Sequence, residues 1–209
     1  MRKRWNAPWQ RTKPYREETQ AIVNDKKITE LDVKIKEMAA MDSLTRLTDR
    51  RKFDETLIIE WDRVSQSNCH IAIALLQIDY FKEYMAVYGE AAASQCLAKT
   101  ASILRRCVQH SHECAARFDN DTFAVILPRT SCHQAYAVCE RICKEIITES
   151  LPHECSPILS YITFSVGLVC MAPQLGSSCA LSLNTAQKAL AMARHSGGNR
   201  IEVSSDHSY

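Results

Sequence analysis

Residues 115–127 read AARFDNDTFAVIL: two short runs, Ala115–Phe118 and Asp121–Leu127, on either side of the pair Asp119-Asn120. Asp and Asn tolerate the positive φ that tight hairpin turns demand, so this stretch predicts a β-hairpin. Upstream, Ile71–Ile78 is an apolar run bounded by polar residues, the pattern of a strand buried on both faces. Downstream, Tyr161–Met171 alternates and then turns apolar, a further strand, and Ile201–Val203 is a short last one. Helical patterns separate them. In 49–66, Phe53, Leu57, Ile58, Trp61 and Val64 share one face; 90–106 carries Ala91–Ala93, Leu97 and Ile103–Leu104. Ser131–Glu149 follows, with Ser131 as N-cap, and Leu183–His195 ends at the stop signal Gly197-Gly198. The order predicts an α/β (α+β) domain with helices packed on a central, mostly antiparallel sheet. No internal repeat is visible.

The chain has 209 residues, 46% hydrophobic and 24% charged, which fits one soluble domain with an appendage. With only 5 Gly and 6 Pro, collagen and low-complexity classes are excluded. No apolar stretch approaches the ~20 residues that span a bilayer. Met1–Arg16 has no apolar leader segment, so a cytoplasmic protein is expected. Six basic side chains and no acid fall in residues 1–16, leaving 20 basic against 24 acidic elsewhere, so the folded part is not expected to bind nucleic acid. The tail, with Trp5 and Trp9, is expected to be a solvated, disordered start.

Residues 17–41 predict a helix. Ile28, Leu31, Ile35 and Met38 form a short heptad seam, a stalk suited to pairing with a second copy or a partner's helix. The expected boundaries are a tail at 1–16, a stalk at 17–41, a domain at 42–204 and a short tail at 205–209. Ten cysteines, without any C-x-x-C, sit mostly in apolar runs and read as small buried hydrophobes of a reducing compartment. His110, His112 and Cys114 alternate as on a strand face, but a metal there lacks an obvious fourth ligand.

The chemistry concentrates at two places. The strand end Gln77-Ile78-Asp79 is followed by Phe81-Lys82, and the hairpin carries Asp119 and Asp121. A strand-end carboxylate beside a hairpin carboxylate is how polymerase-type palms hold Mg²⁺ against a triphosphate.

The segment Asp42-Ser43-Leu44-Thr45-Arg46-Leu47-Thr48-Asp49-Arg50-Arg51-Lys52-Phe53 resembles the D-x-L-T-G-L-x-N-R-R-x-F opening of the GGDEF domain, the bacterial diguanylate cyclase family. Ile71–Leu97 is similar to its D-x-D-x-F-K block, and Arg117–Phe123 stands where R-Y-G-G-(D/E)-E-F is expected. Thr163–Gly167 resembles its T-x-S-x-G strand, and Ala186–Val203 its closing block. The resemblance covers about residues 40–204, in the family's order. It implies a palm-like fold related to adenylyl cyclases. It also implies a reaction joining two GTP into cyclic-di-GMP across a dimer, with Mg²⁺.

Against that pattern the chain departs at the site itself. Gln77 replaces the first metal carboxylate of D-x-D; Asp79 and the hairpin carboxylate Asp121 are kept; Thr122 replaces the acid after it. A threonine hydroxyl does not titrate near neutral pH and cannot act as a carboxylate base. Asp119 and Asn120 replace the turn glycines that let the nucleotide approach, and Met85 and Ser94 replace the Asn and Asp that read guanine. Of the phosphate contacts, Lys82 matches, Arg194 replaces a lysine and Gly198 an arginine. The inhibitory product site, R-x-x-D in the family, reads His110 and Glu113 here.

The expectation is therefore a degenerate, non-catalytic family member. It would need neither Mg²⁺ nor GTP as cofactor and would act through contact with another signalling protein, a cyclase, phosphodiesterase or effector, or through self-association. The alternatives are a weak diguanylate cyclase and a GTP sensor that does not turn its ligand over.

Overall fold

The run at 71–78 is β1 (Ile71–Ile78), and it lies at the centre of a five-stranded sheet in a computed structural model. The structure describes residues 40–67, 69–174 and 178–205. The predicted basic tail, the predicted stalk up to residue 39, and residues 206–209 lie outside them; the stalk's expected last residue, Met41, is not helical but bridges Thr48. The chain divides into Met1–Ala40 and Met41–Tyr209, and the second unit is described here.

After α1 (Arg50–Ser67) and β1 come α2 (Phe81–Cys107), β2 (Cys114–Arg117), β3 (Thr122–Pro128), α3 (Cys132–Thr148), β4 (Phe164–Met171), α4 (Cys179–His195) and β5 (Ile201–Ser205). The sheet order is β2-β3-β1-β4-β5. β1 runs antiparallel to β3 and β4, the hairpin pairs β2 with β3, and β5 joins β4 in parallel. The fold is α+β, as the order of patterns predicts. No helix among the described residues is long and apolar enough to cross a membrane.

Strand alternation divides the core in two. Ala72, Ala74, Leu76 and Ile78 face α2 and α3, meeting Leu97, Ala101, Leu104, Cys139 and Ile142. Ile71, Ile73 and Leu75 face α1 and α4, meeting Phe53, Leu57, Trp61 and Leu190. Covered on both sides, β1 must be apolar throughout, and its one polar residue, Gln77, stands at the strand's end.

The departures from the sequence reading have local causes. α2 begins at Phe81, not near 90, because two helical pieces join across Gly89 (φ 82°, ψ 171°) and the apolar period does not continue through that break. Its first piece is held by Tyr84 stacked between Phe81 and Tyr88. α4 begins at Cys179, where Ser178 Oγ accepts from the Ala180 amide. β4 begins at Phe164, because the amide of Ile162 and the carbonyl of Thr163 bond to Leu151 and Asp79 instead of extending the ladder. β5 runs on to Ser205, one residue into the expected C-terminal tail.

Neither Asp119 nor Asn120 has positive φ. The strands are joined by the four residues 118–121, wide enough to turn without it, with both Phe118 and Asp119 amides donating to the Thr122 carbonyl. Ile58 points outward, 54% exposed, instead of joining the buried stripe of α1. His110 and His112 lie in the turn before β2 rather than on a strand face with Cys114. Ser131 caps α3 in a reciprocal capping box with Gln134.

Candidate functional site

Because β1 is antiparallel to both neighbours, its last residues meet the first residues of β3 and β4. Gln77 stands opposite Thr122 on one side and Ser165 on the other. The chain then turns at Tyr80, in left-handed conformation (φ 53°), and enters α2, which carries Lys82, Met85 and Ser94. α4 delivers Arg194 and closes at Gly197 and Gly198, both with positive φ.

Two cavities meet here. One, of about 410 Å³, is lined by Gln77, Asp79, Lys82, Glu83, Asp121, Arg194 and Gly198, among others. The other, of about 550 Å³, is lined by Leu44, Met85, Glu90, Ser94, Arg117, Asp119 and Asn120, among others. Gln77, Phe81, Lys82 and Asp121 border both. The residues singled out in the sequence thus come together: Asp79, Arg194 and Gly198 line the first cavity, Met85, Ser94, Asp119 and Asn120 the second, and Gln77, Lys82 and Asp121 stand between them. Thr122 lies buried at the edge. His110 and Glu113 stay apart from the walls, where Glu113 accepts from the amides of Gln109 and His110 and closes its own turn.

Asp79 is 4% exposed, and donors surround its carboxylate. Thr163 Oγ1 donates to Oδ2 at 2.8 Å, Ser165 Oγ to Oδ1 at 2.6 Å, and the Asn199 amide to Oδ2 at 3.0 Å. These bonds tie the end of β1 to β4 and to the loop after α4. Gly198 (φ +73°) lets that loop approach: a Cβ there would stand 2.5 Å from Ile158 Cδ1 and 3.2 Å from the Asp79 carboxylate.

Asp121 faces Gln77. Gln77 Nε2 donates to both carboxylate oxygens at 3.1 Å, and Thr122 Oγ1 donates to Oδ1 at 3.2 Å. A carboxylate only accepts, so the amide must present its nitrogen, and one N–H, shared between the two oxygens, points where a cation would be drawn. Lys82 and Arg194 supply the positive charge of the larger surroundings, and among the described residues neither is in an ion pair.

Arg117 braces the hairpin loop. It donates to both oxygens of Asp42, at 3.2 and 3.3 Å, and to the Asn120 carbonyl at 3.0 Å. Burial pushes the Asp42 carboxyl up, but the Thr45 hydroxyl and amide and the Arg117 charge outweigh it and hold the group below the usual carboxylate value. The turn before α1 is thereby fastened to the rim of the second cavity.

The buried support of Asp79 leaves no local mark in the sequence. Thr163 and Ser165 were visible as a motif, yet polar residues in a strand give no sign of which buried carboxylate they serve. Phe81, Glu83 and Glu90 also went unmarked as wall residues.

The family profile described as "Diguanylate cyclase, GGDEF domain" matches residues 39–200. The chain is 30% identical over 171 residues to Diguanylate cyclase A of Treponema denticola, a match covering 80% of this chain and 45% of that protein. It is 28% identical over 168 residues to the cyclic di-GMP phosphodiesterase NbdA of Pseudomonas aeruginosa, covering 80% of this chain and 21% of that one. Among solved structures, it is similar to the coiled coil and GGDEF domain of DgcB from Caulobacter crescentus, in complex with c-di-GMP. The TM-score is 0.78 at 25% identity, covering 91% of this chain and 98% of that chain. The chain spans less than half the length of these two curated relatives.

Proposed function

This chain belongs to the GGDEF-domain family of bacterial cyclic-di-GMP signalling, and from that premise we propose that it is a non-catalytic member, a regulator working through contact with another protein. The observation that carries this reading is the Gln77 amide nitrogen donating to the Asp121 carboxylate, equidistant from its two oxygens. Where the family's pattern puts two carboxylates around Mg²⁺, a neutral amide here donates to the remaining one. To offer an oxygen to a cation, Gln77 would have to give up this donation and turn its amide over. Asp79, the second carboxylate that the family's pattern retains here, already accepts from three donors. This donor set suits Mg²⁺ poorly, because the ion is ordinarily held by one or two carboxylates beside substrate phosphates and here one carboxylate position is an amide presenting its nitrogen to the other.

The second cavity supports the same reading. Met85, 44% exposed, offers a guanine edge no hydrogen bond, and Asp119 adds a negative charge at the rim. Thr122, in the place of an acid, is buried and spends its hydroxyl on Asp121. A fold can outlast the reaction it once served, so a chain can lose the reaction and keep the surface. A family module inside a protein named as a phosphodiesterase is consistent with roles other than cyclisation. The stalk expected at residues 17–41, with the coiled coil of the Caulobacter relative as its counterpart, is the proposed route to a partner or a second copy.

A GTP sensor is the second reading, favoured by Lys82 and Arg194 lining one cavity without ion-pair partners among the described residues. Calorimetric titration with GTP and Mg²⁺ separates the two. The regulator reading predicts no binding heat up to about 1 mM nucleotide, an affinity weaker than about −4 kcal/mol. Saturable binding without product would favour the sensor.

A further inference from the structure

The loop between α3 and β4 holds a second reactive arrangement. His153 is fully buried and lies edge-on against Tyr84, with ring centroids 5.2 Å apart. Its Nε2 is 3.1 Å from the carbonyl oxygen of Tyr80, the residue between Asp79 and α2. A carbonyl only accepts, so Nε2 carries the hydrogen and Nδ1 is the ring nitrogen left to accept a proton. That nitrogen faces Cys155 Sγ at 3.9 Å. The loop is tied down around the pair, with the His153 amide bonded to Ser160 and the Glu154 amide to the Tyr88 hydroxyl. A nucleophile, a base and a group that orients the base are therefore in place.

Among the ten cysteines Cys155 is the exposed one. Burial pushes the thiols of Cys96 and Cys143 up to about 12 and also raises those of Cys139 and Cys170. Those thiols pack; they do not react.

We propose that Cys155, with His153 as its base, is a modification site of this chain, a thiol that hydroperoxides oxidise to a sulfenic acid. His153 Nδ1 takes the thiol proton, and the thiolate sulfur attacks one peroxide oxygen. The S–O bond forms as the O–O bond breaks, and the leaving oxygen recovers the proton from His153 as water or an alcohol. Sulfur loses two electrons and the peroxide gains two. The site is separate from the nucleotide cavities, but His153 bonds to the residue that leads into α2, so the modified loop adjoins the cavity wall.

The test is a comparison of the reduced full chain, folded and in urea, pulsed with hydrogen peroxide in the presence of a 1,3-diketone trap for sulfenic acids and mapped by peptide mass spectrometry. Cys155 is expected to label at least about tenfold faster in the folded chain than in urea, while the buried cysteines label more slowly when folded. Cys155→Ser removes the folded-state label. His153→Asn, with its fold checked by circular dichroism, lowers the Cys155 rate to the value in urea. If Cys155 labels no faster folded than unfolded, or if another cysteine labels first, the proposal is overturned; the wild-type comparison decides even if His153→Asn does not fold.

Discussion

Incubated with GTP and Mg²⁺, the purified chain is expected to make no detectable cyclic-di-GMP, at least about a thousandfold less than a family member with both metal carboxylates. Three independent shortfalls combine. The first is the metal position, where Gln77 meets Asp121 as a hydrogen-bond donor. The second is the acid position, where Thr122 has no carboxyl; losing a positioned acid or base alone costs about 10²–10⁴ in rate. The third is the base-reading wall, where Met85 and Ser94 replace matched partners at about 1–3 kcal/mol for each group left unpaired. Chromatography of the nucleotides after overnight incubation reads the outcome. Cyclic-di-GMP that appears with the wild-type chain and vanishes with Asp121→Ala would mean that the site works despite these replacements.

The second large effect is on stability. Gly167→Ala is expected to cost about 3 kcal/mol or more, lowering the melting midpoint by roughly 6–12 °C. Gly167 lies mid-strand in β4, where α4 crosses it. A Cβ there would stand 2.3 Å from the Ala186 carbonyl oxygen, 2.3 Å from the Leu190 amide nitrogen and 2.8 Å from the Leu190 Cα. All three are backbone atoms, so no rotamer relieves the clash and the helix itself must move. That helix carries Arg194 and leads into the Gly198–Asn199 loop over Asp79, so the glycine of the T-x-S-x-G strand serves the site by letting α4 pack close. A melting midpoint within 2 °C of wild type would show that the helix yields more easily than this packing implies.

The fold was legible where burial is symmetrical. Ile71–Ile78 is covered on both faces and reads as a strand to the residue, and Ser131 announces α3 because a capping box is a local affair of four residues. The first half of α2 was not legible, because Gly89 breaks the period and the stacking of Phe81, Tyr84 and Tyr88 replaces a long apolar stripe. The hairpin was read correctly for a partly wrong reason: Asp119 and Asn120 close a four-residue loop at negative φ. Every metal, phosphate and base position named from the resemblance lines one of the two cavities or touches a residue that does, whereas His110 and Glu113, named for the product site, lie apart from both. What the residues do to each other was hidden. That Asp79 is held by Thr163, Ser165 and Asn199 depends on bonds spanning 84, 86 and 120 positions along the chain, which local pattern does not carry.

The most direct test of the account is the melting of Gln77→Asp beside the wild-type chain, with and without Mg²⁺. The account predicts that the wild-type midpoint ignores the ion. In the variant two carboxylates face each other with only the Thr122 hydroxyl still donating to Asp121, so the midpoint falls by roughly 2–6 °C in metal-free buffer and recovers when Mg²⁺ is added. A wild-type midpoint that rises with Mg²⁺ as much as the variant's would contradict it, for the cation would then be binding with the glutamine in place.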